Sequence, residues 1–242
     1  MSEEEFLKSY DPSKYDRPST AVDSAIFTVY QGKLQVLLIK RDEHPCINQW
    51  SLVGGYVDIN TDASLEQTAL RKLEEKTGFS SPYLEQVISI GNATRDLRGW
   101  TISTIYYALI PHESLNLNAG KGASEVKLIP VDKVTSMEVA FDHHNILSLC
   151  LERLRNKALY TTLPVHLMQE NFTLSELQTV YEIILGHTIQ QKSFRRRMLA
   201  SDCVEETGEM RETSRRPAMT YCLIKGAKPH YFTRNLESIN LS

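Results

Sequence analysis

Two clusters of charged residues in this 242-residue chain have the spacing of working surfaces. The first lies in "LEQTALRKLEEKTGF", residues 65 to 79, where Leu65, Thr68/Ala69 and Leu73 recur at helical spacing and Gly78 supplies a stop. On such a helix, positions 72, 75 and 76 are three and four residues apart and share one face. They are Lys72, Glu75 and Lys76. A hard divalent cation needs oxygen ligands and local negative charge, and two ammonium groups supply neither. The face therefore suits a diphosphate anion better than a metal that activates water. The second cluster is "QQKSFRRRMLA", residues 190 to 200. Phe194 and Met198, four apart, mark a buried stripe. That turns Ser193, Arg196, Arg197 and Ala200 to the opposite side, with Lys192 and Arg195 flanking. Arginine can bridge guanine O6 and N7 in a major groove while serine and lysine reach phosphates.

These surfaces need scaffolds, and the chain contains two different ones. "STAVDSAIFTVYQGKLQVLLIKR" predicts two strands joined at Gln31 and Gly32. In the irregular stretch that follows, Gly54 and Gly55 permit close approaches that side chains forbid. After the helix over 65–76 come strand patterns at 83–96 and 100–110, then a strand and short helix at 123–134. The stretch 142–160 places Ile146, Leu149/Cys150, Leu154 and Ala158 on one helical stripe. Periodicity lapses over 160–172, which marks a junction. Beyond it, Thr173 and Glu176 form a capping box that opens a helix closed by Gly186. The helix over 190–200 follows, then two strands flanking a charged loop with Arg215, Arg216 and Pro217. Helix, turn, helix and hairpin is the order of a winged helix-turn-helix. The expected domains are 1–159 and 173–242, linked by 160–172.

Hydrophobic residues make up 41% and charged residues 24%, the balance of a soluble globular protein. The acidic first twenty residues lack the apolar core of a secretion signal, and no run reaches the roughly 20 apolar residues of a membrane helix. A cytoplasmic location is expected. Cys46, Cys150, Cys203 and Cys222 lack zinc spacing, so they read as reduced, mostly buried thiols, with no metal site. The net charge of -3 argues against a uniformly basic nucleic-acid binder, but it hides an asymmetry: residues 1–162 carry net -4, and 163–242 net +1. The basic charge clusters between Lys192 and Arg216.

Residues 54–79 resemble the Nudix box, Gx5Ex7REUxEExGU with U aliphatic. Gly55, Arg71, Leu73, Glu75 and Gly78 match, and Phe79 substitutes for the last aliphatic. The resemblance implies an α/β Nudix-like sandwich with Gly54 and Gly55 beside the ligand. Of the motif's three helical glutamates only Glu75 remains. Gly55 to Arg71 spans 16 positions rather than 14, leaving Thr61 or Ala63 where the upstream glutamate belongs. "ATRDLRGWTIS" resembles the segment of Nudix proteins that take ADP-ribose, which implies ligand roles for Arg95, Asp96 and Arg98. Guanidinium forks suit phosphate, and a carboxylate can orient them. Arg41 and Trp50 match recurrent ligand-side positions, although Trp50 reads equally as a core anchor and Arg41 as a partner of Asp42 or Glu43. "VAFDHHNIL" implies Phe141, Asp142 and His143 near the pocket mouth.

The second half is similar to the C-terminal half of Nudix-related transcriptional regulators of NAD metabolism. Together these resemblances imply a homodimeric repressor, with a winged helix on operator DNA and a non-hydrolysing Nudix-like domain that senses ADP-ribose as effector, without a cofactor. Two alternatives remain: an active ADP-ribose pyrophosphatase with an accessory domain, and a sugar-responsive regulator of the same architecture.

Overall fold

The computed structural model describes residues 1–80, 83–115, 117, 122–213 and 216–233. A short helix, α1 (Glu3–Ser9), precedes a seven-stranded mixed sheet. The sheet comprises β1 (Ser19–Tyr30), β2 (Lys33–Arg41), β3 (Trp50–Ser51), β4 (Val53–Tyr56), β5 (Tyr83–Asn92), β6 (Thr101–Leu109) and β7 (Ala123–Pro130). Helix α2 (Leu65–Thr77) connects β4 to β5, and α3 (Val131–Val134) follows β7. Helix α4 (His143–Tyr160) then leads to the second unit: β8 (Phe172–Thr173), α5 (Leu174–Leu185), α6 (Gln191–Leu199), β9 (Val204–Arg211) and β10 (Ala218–Leu223).

The β1–β2 hairpin turns at Gln31 (φ 50) and Gly32 (φ 70). Both lie in the left-handed region that a two-residue turn of matching twist demands. Beyond this turn β1 is the hub of the sheet. It pairs antiparallel with β2 near its end and with β4 near its start, and runs parallel to β6. Period-two alternation then sorts its side chains. Val22 and Ile26 pack toward Ala69 and Leu73 of α2, while Ala25 and Phe27 pack toward Ile146, Cys150 and Leu154 of α4. The sheet is thus covered on both faces. Each fully buried large aliphatic contributes about 1.5–3 kcal/mol.

On α4 the inward stripe is Ile146, Leu147, Cys150, Leu154 and Ala158. Leu149, expected on it, is 36% exposed and Leu147 takes the place. Cys150 and Cys203 are buried, while Cys46 and Cys222 are only half-buried; all four are free thiols.

The segment 160–172 packs rather than dangles. Leu163–Leu167 forms a 3-10 turn that buries Leu163, Pro164, Val165 and Leu167, with the leucines and the valine in the cluster that also holds Phe27 of β1 and Tyr181 of α5. In the second unit, β8, β10 and β9 form a three-stranded sheet beside α5 and α6. The capping box at Thr173 is formed. The Glu176 N–H donates to Thr173 Oγ1 at 3.2 Å and the Thr173 N–H to Glu176 Oε2 at 2.7 Å. Gly186 (φ 79) ends α5. Phe194 and Met198 of α6 are buried, with Phe194 edge-on to Tyr181 at 5.1 Å.

Candidate functional site: a polar pocket and a basic helix

The close approach of β4 to β1 creates the pocket. A Cβ on Gly54 would lie 2.3 Å from Asp23 Oδ1 and 2.5 Å from the Val22 carbonyl, so only glycine lets the strands meet there. Across Gly55 lies the side chain of Lys72, whose Cε would be 2.9 Å from an added Cβ. The pocket that opens over these glycines is lined by Asp23, Arg41, Ser51, Tyr56, Arg95, Asp96, Arg98, Phe141 and His143, among others.

Arg95 is the most constrained of them. Its side chain is 5% exposed, and it donates from Nε and Nη2 to Asp142 at 3.1 and 2.9 Å and from Nη2 to Asp23 at 3.3 Å. Asp23 also accepts from Ser103 Oγ at 2.6 Å. His143 sits behind this group, 5% exposed. Its Nδ1 accepts from the Leu52 N–H at 3.0 Å, which leaves the proton on Nε2, 3.6 Å from Asp23 Oδ1. Burial pushes its pKa down despite Asp23 and Asp142, so the ring is neutral.

Arg98 is the more accessible guanidinium, with its side chain 46% exposed. Asp96 holds it through Nε at 3.0 Å and Nη2 at 2.7 Å, and it lies over the Tyr56 ring at 4.9 Å. That grip keeps the Asp96 carboxyl below the usual range. Arg41 bonds the Pro45 carbonyl at 2.8 Å and the Glu43 carbonyl at 3.3 Å, and stands over the Phe141 ring at 5.0 Å. It therefore uses main-chain oxygens and not the carboxylates of Asp42 or Glu43. Phe141 has φ 55, a strained setting for a bulky residue, at the turn into α4. The Ser51 hydroxyl is buried and has no hydrogen-bond partner among the described residues.

The α2 charges are not in this lining, although Lys72 packs against Gly55 at its edge. Arg71 donates to Asp62 at 2.8 and 2.6 Å and to Glu75 at 3.1 Å. The guanidinium holds the Asp62 carboxyl far below the ordinary carboxylate range. Lys72 pairs with Glu75 at 3.0 Å. Lys76 is only 5% exposed, and desolvation pushes its pKa down. Trp50 is also outside the lining: its half-buried ring packs on the main core under Lys127, 5.5 Å away. The pocket thus gathers Arg41, Gly54, Gly55, Arg95, Asp96, Arg98, Phe141 and His143, and leaves Trp50, Arg71, Lys72, Glu75 and Lys76 outside its wall. Sequence reasoning missed Asp23, Ser51, Tyr56 and Asp62. Asp23 had a usable signal, a single carboxylate inside an apolar strand. Among the described residues no group of three or more His, Cys, Asp or Glu is arranged to hold a metal ion, and no helix is long and apolar enough to cross a membrane.

On the second unit, α6 turns Lys192, Arg195 and Arg196 outward, with Ser193 and Arg197 half-buried at its sides. Ser193 donates its N–H to the Gln190 side chain at 2.6 Å, the helix's N-cap. Arg195 is tethered to the sheet, reaching the Tyr221 hydroxyl at 3.4 Å. Arg216 is exposed in the β9–β10 connection, and Arg215 lies outside the described residues.

Comparison with known proteins matches both units. Residues 20–150 fit the NUDIX domain and residues 164–223 the NrtR DNA-binding winged helix domain. The chain is 46% identical over 236 residues to the ADPR responsive transcriptional repressor NtrR of Acinetobacter baylyi, covering 98% of this chain and 94% of that one. The crystal structure of Shewanella oneidensis NrtR complexed with a 27mer DNA superposes with a TM-score of 0.83 at 44% identity, covering 90% of this chain and 99% of that one. The NUDIX domain of the same protein, complexed with ADP ribose, gives a TM-score of 0.60 at 41% identity over 64% of this chain and 99% of that one. A Nudix-fold unit joined to a winged helix is the shared architecture, and the chain belongs to the NrtR family.

Proposed function

We propose that this chain is a cytoplasmic transcriptional repressor of NAD metabolism genes that binds operator DNA through its winged helix and is governed by ADP-ribose held in the Nudix-fold pocket. The observation that carries the reading is the kinship across nearly the whole chain to an ADP-ribose-responsive repressor, with the basic face of α6 outward. Lys192, Ser193, Arg196 and Arg197 are assigned to the DNA with Arg195 beside them, and Arg215 and Arg216 to the wing. Recognition of a two-fold operator by two copies implies a homodimer.

In the pocket, Arg41 and Arg98 are assigned to the diphosphate, Tyr56 and Phe141 to the base or ribose through their ring faces, and the Ser51 hydroxyl to a polar contact; their common place in the lining supports this. Gly54 and Gly55 keep the floor low. Trp50, Arg71, Lys72, Glu75 and Lys76 act from behind the wall. The α2 face supports binding without hydrolysis: Lys72 neutralises Glu75, and Lys76 occupies the third position, so the face offers no cluster of oxygen ligands. The division into 1–159, a packed joint at 160–172 and 173–242 belongs to this reading.

Two assays on the full chain test it. In vitro selection from a random duplex library should yield a preferred sequence whose retention is lost in Arg196→Ala. Incubation with ADP-ribose and Mg²⁺ should return the nucleotide intact. Turnover on the order of 1 per second or faster would place the protein among ordinary enzymes and favour the pyrophosphatase reading.

A further inference from the structure

Asp142 occupies the N-cap position of α4 but does not cap it. No side-chain hydrogen bond reaches the helix, and its backbone (φ -95, ψ 19) is not in the extended conformation of a cap. Both carboxylate oxygens instead accept from Arg95, at 2.9 and 3.1 Å. In the first turn of α4 the His143 and Asn145 N–H groups already donate to the Ala140 and Asp142 carbonyls, which leaves the His144 N–H as the alternative partner for the same carboxylate, favoured by hydrogen bonding and by the helix dipole. Arg95 in turn lines the pocket while bound to two carboxylates, Asp142 and Asp23. An anion entering there is repelled by both unless the guanidinium turns toward it.

We propose that Arg95 and Asp142 form a latch: a diphosphate in the pocket draws Arg95 away, and Asp142 swings to cap α4. The inference rests on the reading of the pocket as the ADP-ribose site, and it names the step by which occupancy reaches the DNA-binding unit. Phe141, already strained at φ 55, is the hinge just ahead of the moving residue.

The far end of α4 is hydrogen-bonded to the winged-helix unit. The Tyr181 hydroxyl of α5 donates to the Thr161 carbonyl at 2.8 Å, and Arg155 of α4 donates to the Ile184 carbonyl of α5 at 3.2 Å. The chain after β10 returns to the same place: the Phe232 N–H donates to Tyr160 at 2.7 Å and the Thr162 N–H to His230 at 3.0 Å. A tilt of α4 at its start is therefore delivered to α5 and, through the Tyr181–Phe194 contact, to α6. Asp142 is a positioning residue in this scheme, acting through Arg95.

The test uses Asp142→Asn and Asp142→Ser in the full chain. Both residues cap helices well and neither ion-pairs with arginine, so both hold the latch open while preserving the fold. Operator affinity by fluorescence anisotropy and ADP-ribose affinity by calorimetry are measured for each protein, and each with the other ligand saturating. Relative to the parent, both variants should bind operator about tenfold more weakly and ADP-ribose more tightly, with the coupling between the two ligands reduced to about threefold or less. Thermal melting reports folding separately; a merely structural role would lower stability and leave the coupling factor alone. Variants that melt cooperatively and couple the two ligands by the parent's factor overturn the latch while leaving the effector reading in place. A parent whose operator affinity ignores ADP-ribose overturns both.

Discussion

Replacing Arg95 by alanine leaves two carboxylates without their cation inside the Nudix-fold unit. The Arg95 side chain is 5% exposed, and its partners Asp23 and Asp142 are 11% and 19% exposed. Breaking a buried pair from one side costs about 3–5 kcal/mol. Asp142 has water and the end of α4 to turn to, which places the expected loss near the lower figure, about 3 kcal/mol. For a chain of this size each kcal/mol moves the melting temperature by about 2–4 °C, so Arg95→Ala should melt about 6–12 °C below the parent. Arg98→Ala is the control. That side chain is 46% exposed, so solvent already screens its pairing with Asp96 and the loss should be about 1 kcal/mol or less. Differential scanning fluorimetry without ligand measures both. Adding Asp23→Asn to Arg95→Ala should recover part of the loss, since it removes a stranded charge. Equal melting temperatures for the two single variants, or an Arg95→Ala protein within about 2 °C of the parent, would refute the view that Arg95 is first of all an internal ion-pair partner.

Other consequences follow from particular contacts. Burial depresses the His166 pKa to about 4, so the unfolded chain takes up a proton at that residue as pH falls from about 6.5 to about 4 and the folded chain does not. Stability should therefore decline across that window, and His166→Gln should flatten the decline in a melting series. Gly54→Ala drives a methyl group into Asp23 and the Val22 backbone; it should weaken ADP-ribose binding in calorimetry and lower the melting temperature, while Gly186→Asn, in open space at a helix end, should do little. Arg196→Ala should weaken operator binding and leave the free protein's ADP-ribose affinity unchanged; if the contact is to phosphate, the slope of log affinity against log salt falls by about 1.

Local signals carried most of the architecture. A glycine turn between branched strands, the helical period from Leu65 with Gly78 behind it, and the Thr173–Glu176 box are short-range patterns, and the corresponding hairpin and helices formed where those patterns lie. The chemistry of the pocket was less legible because it depends on partners far apart in the chain. Arg95 meets Asp142 across 47 residues and Asp23 across 72, so the sequence displayed a cation suited to phosphate and concealed the carboxylates that hold it. Helical spacing put Lys76 with Lys72 and Glu75 on a face suited to an anion, yet it is buried beside Thr77 on α2. Asp62 lies one residue from each position considered for the missing glutamate and is the partner of Arg71. The 160–172 stretch shows no strand or α-helical period because its 3-10 turn repeats differently from either, although its leucines and valine are buried.

Under the proposed function and the latch, pocket occupancy and DNA binding oppose each other in one molecule. The most direct measurement of this opposition is the operator affinity of the full chain by fluorescence anisotropy, with and without saturating ADP-ribose. The expected result is a loss of affinity of about fivefold or more, the lower end of usual coupling between sites, and an equal loss of ADP-ribose affinity when operator is saturating. Operator affinity that stays constant at saturating ADP-ribose would contradict it and direct attention to a sugar effector.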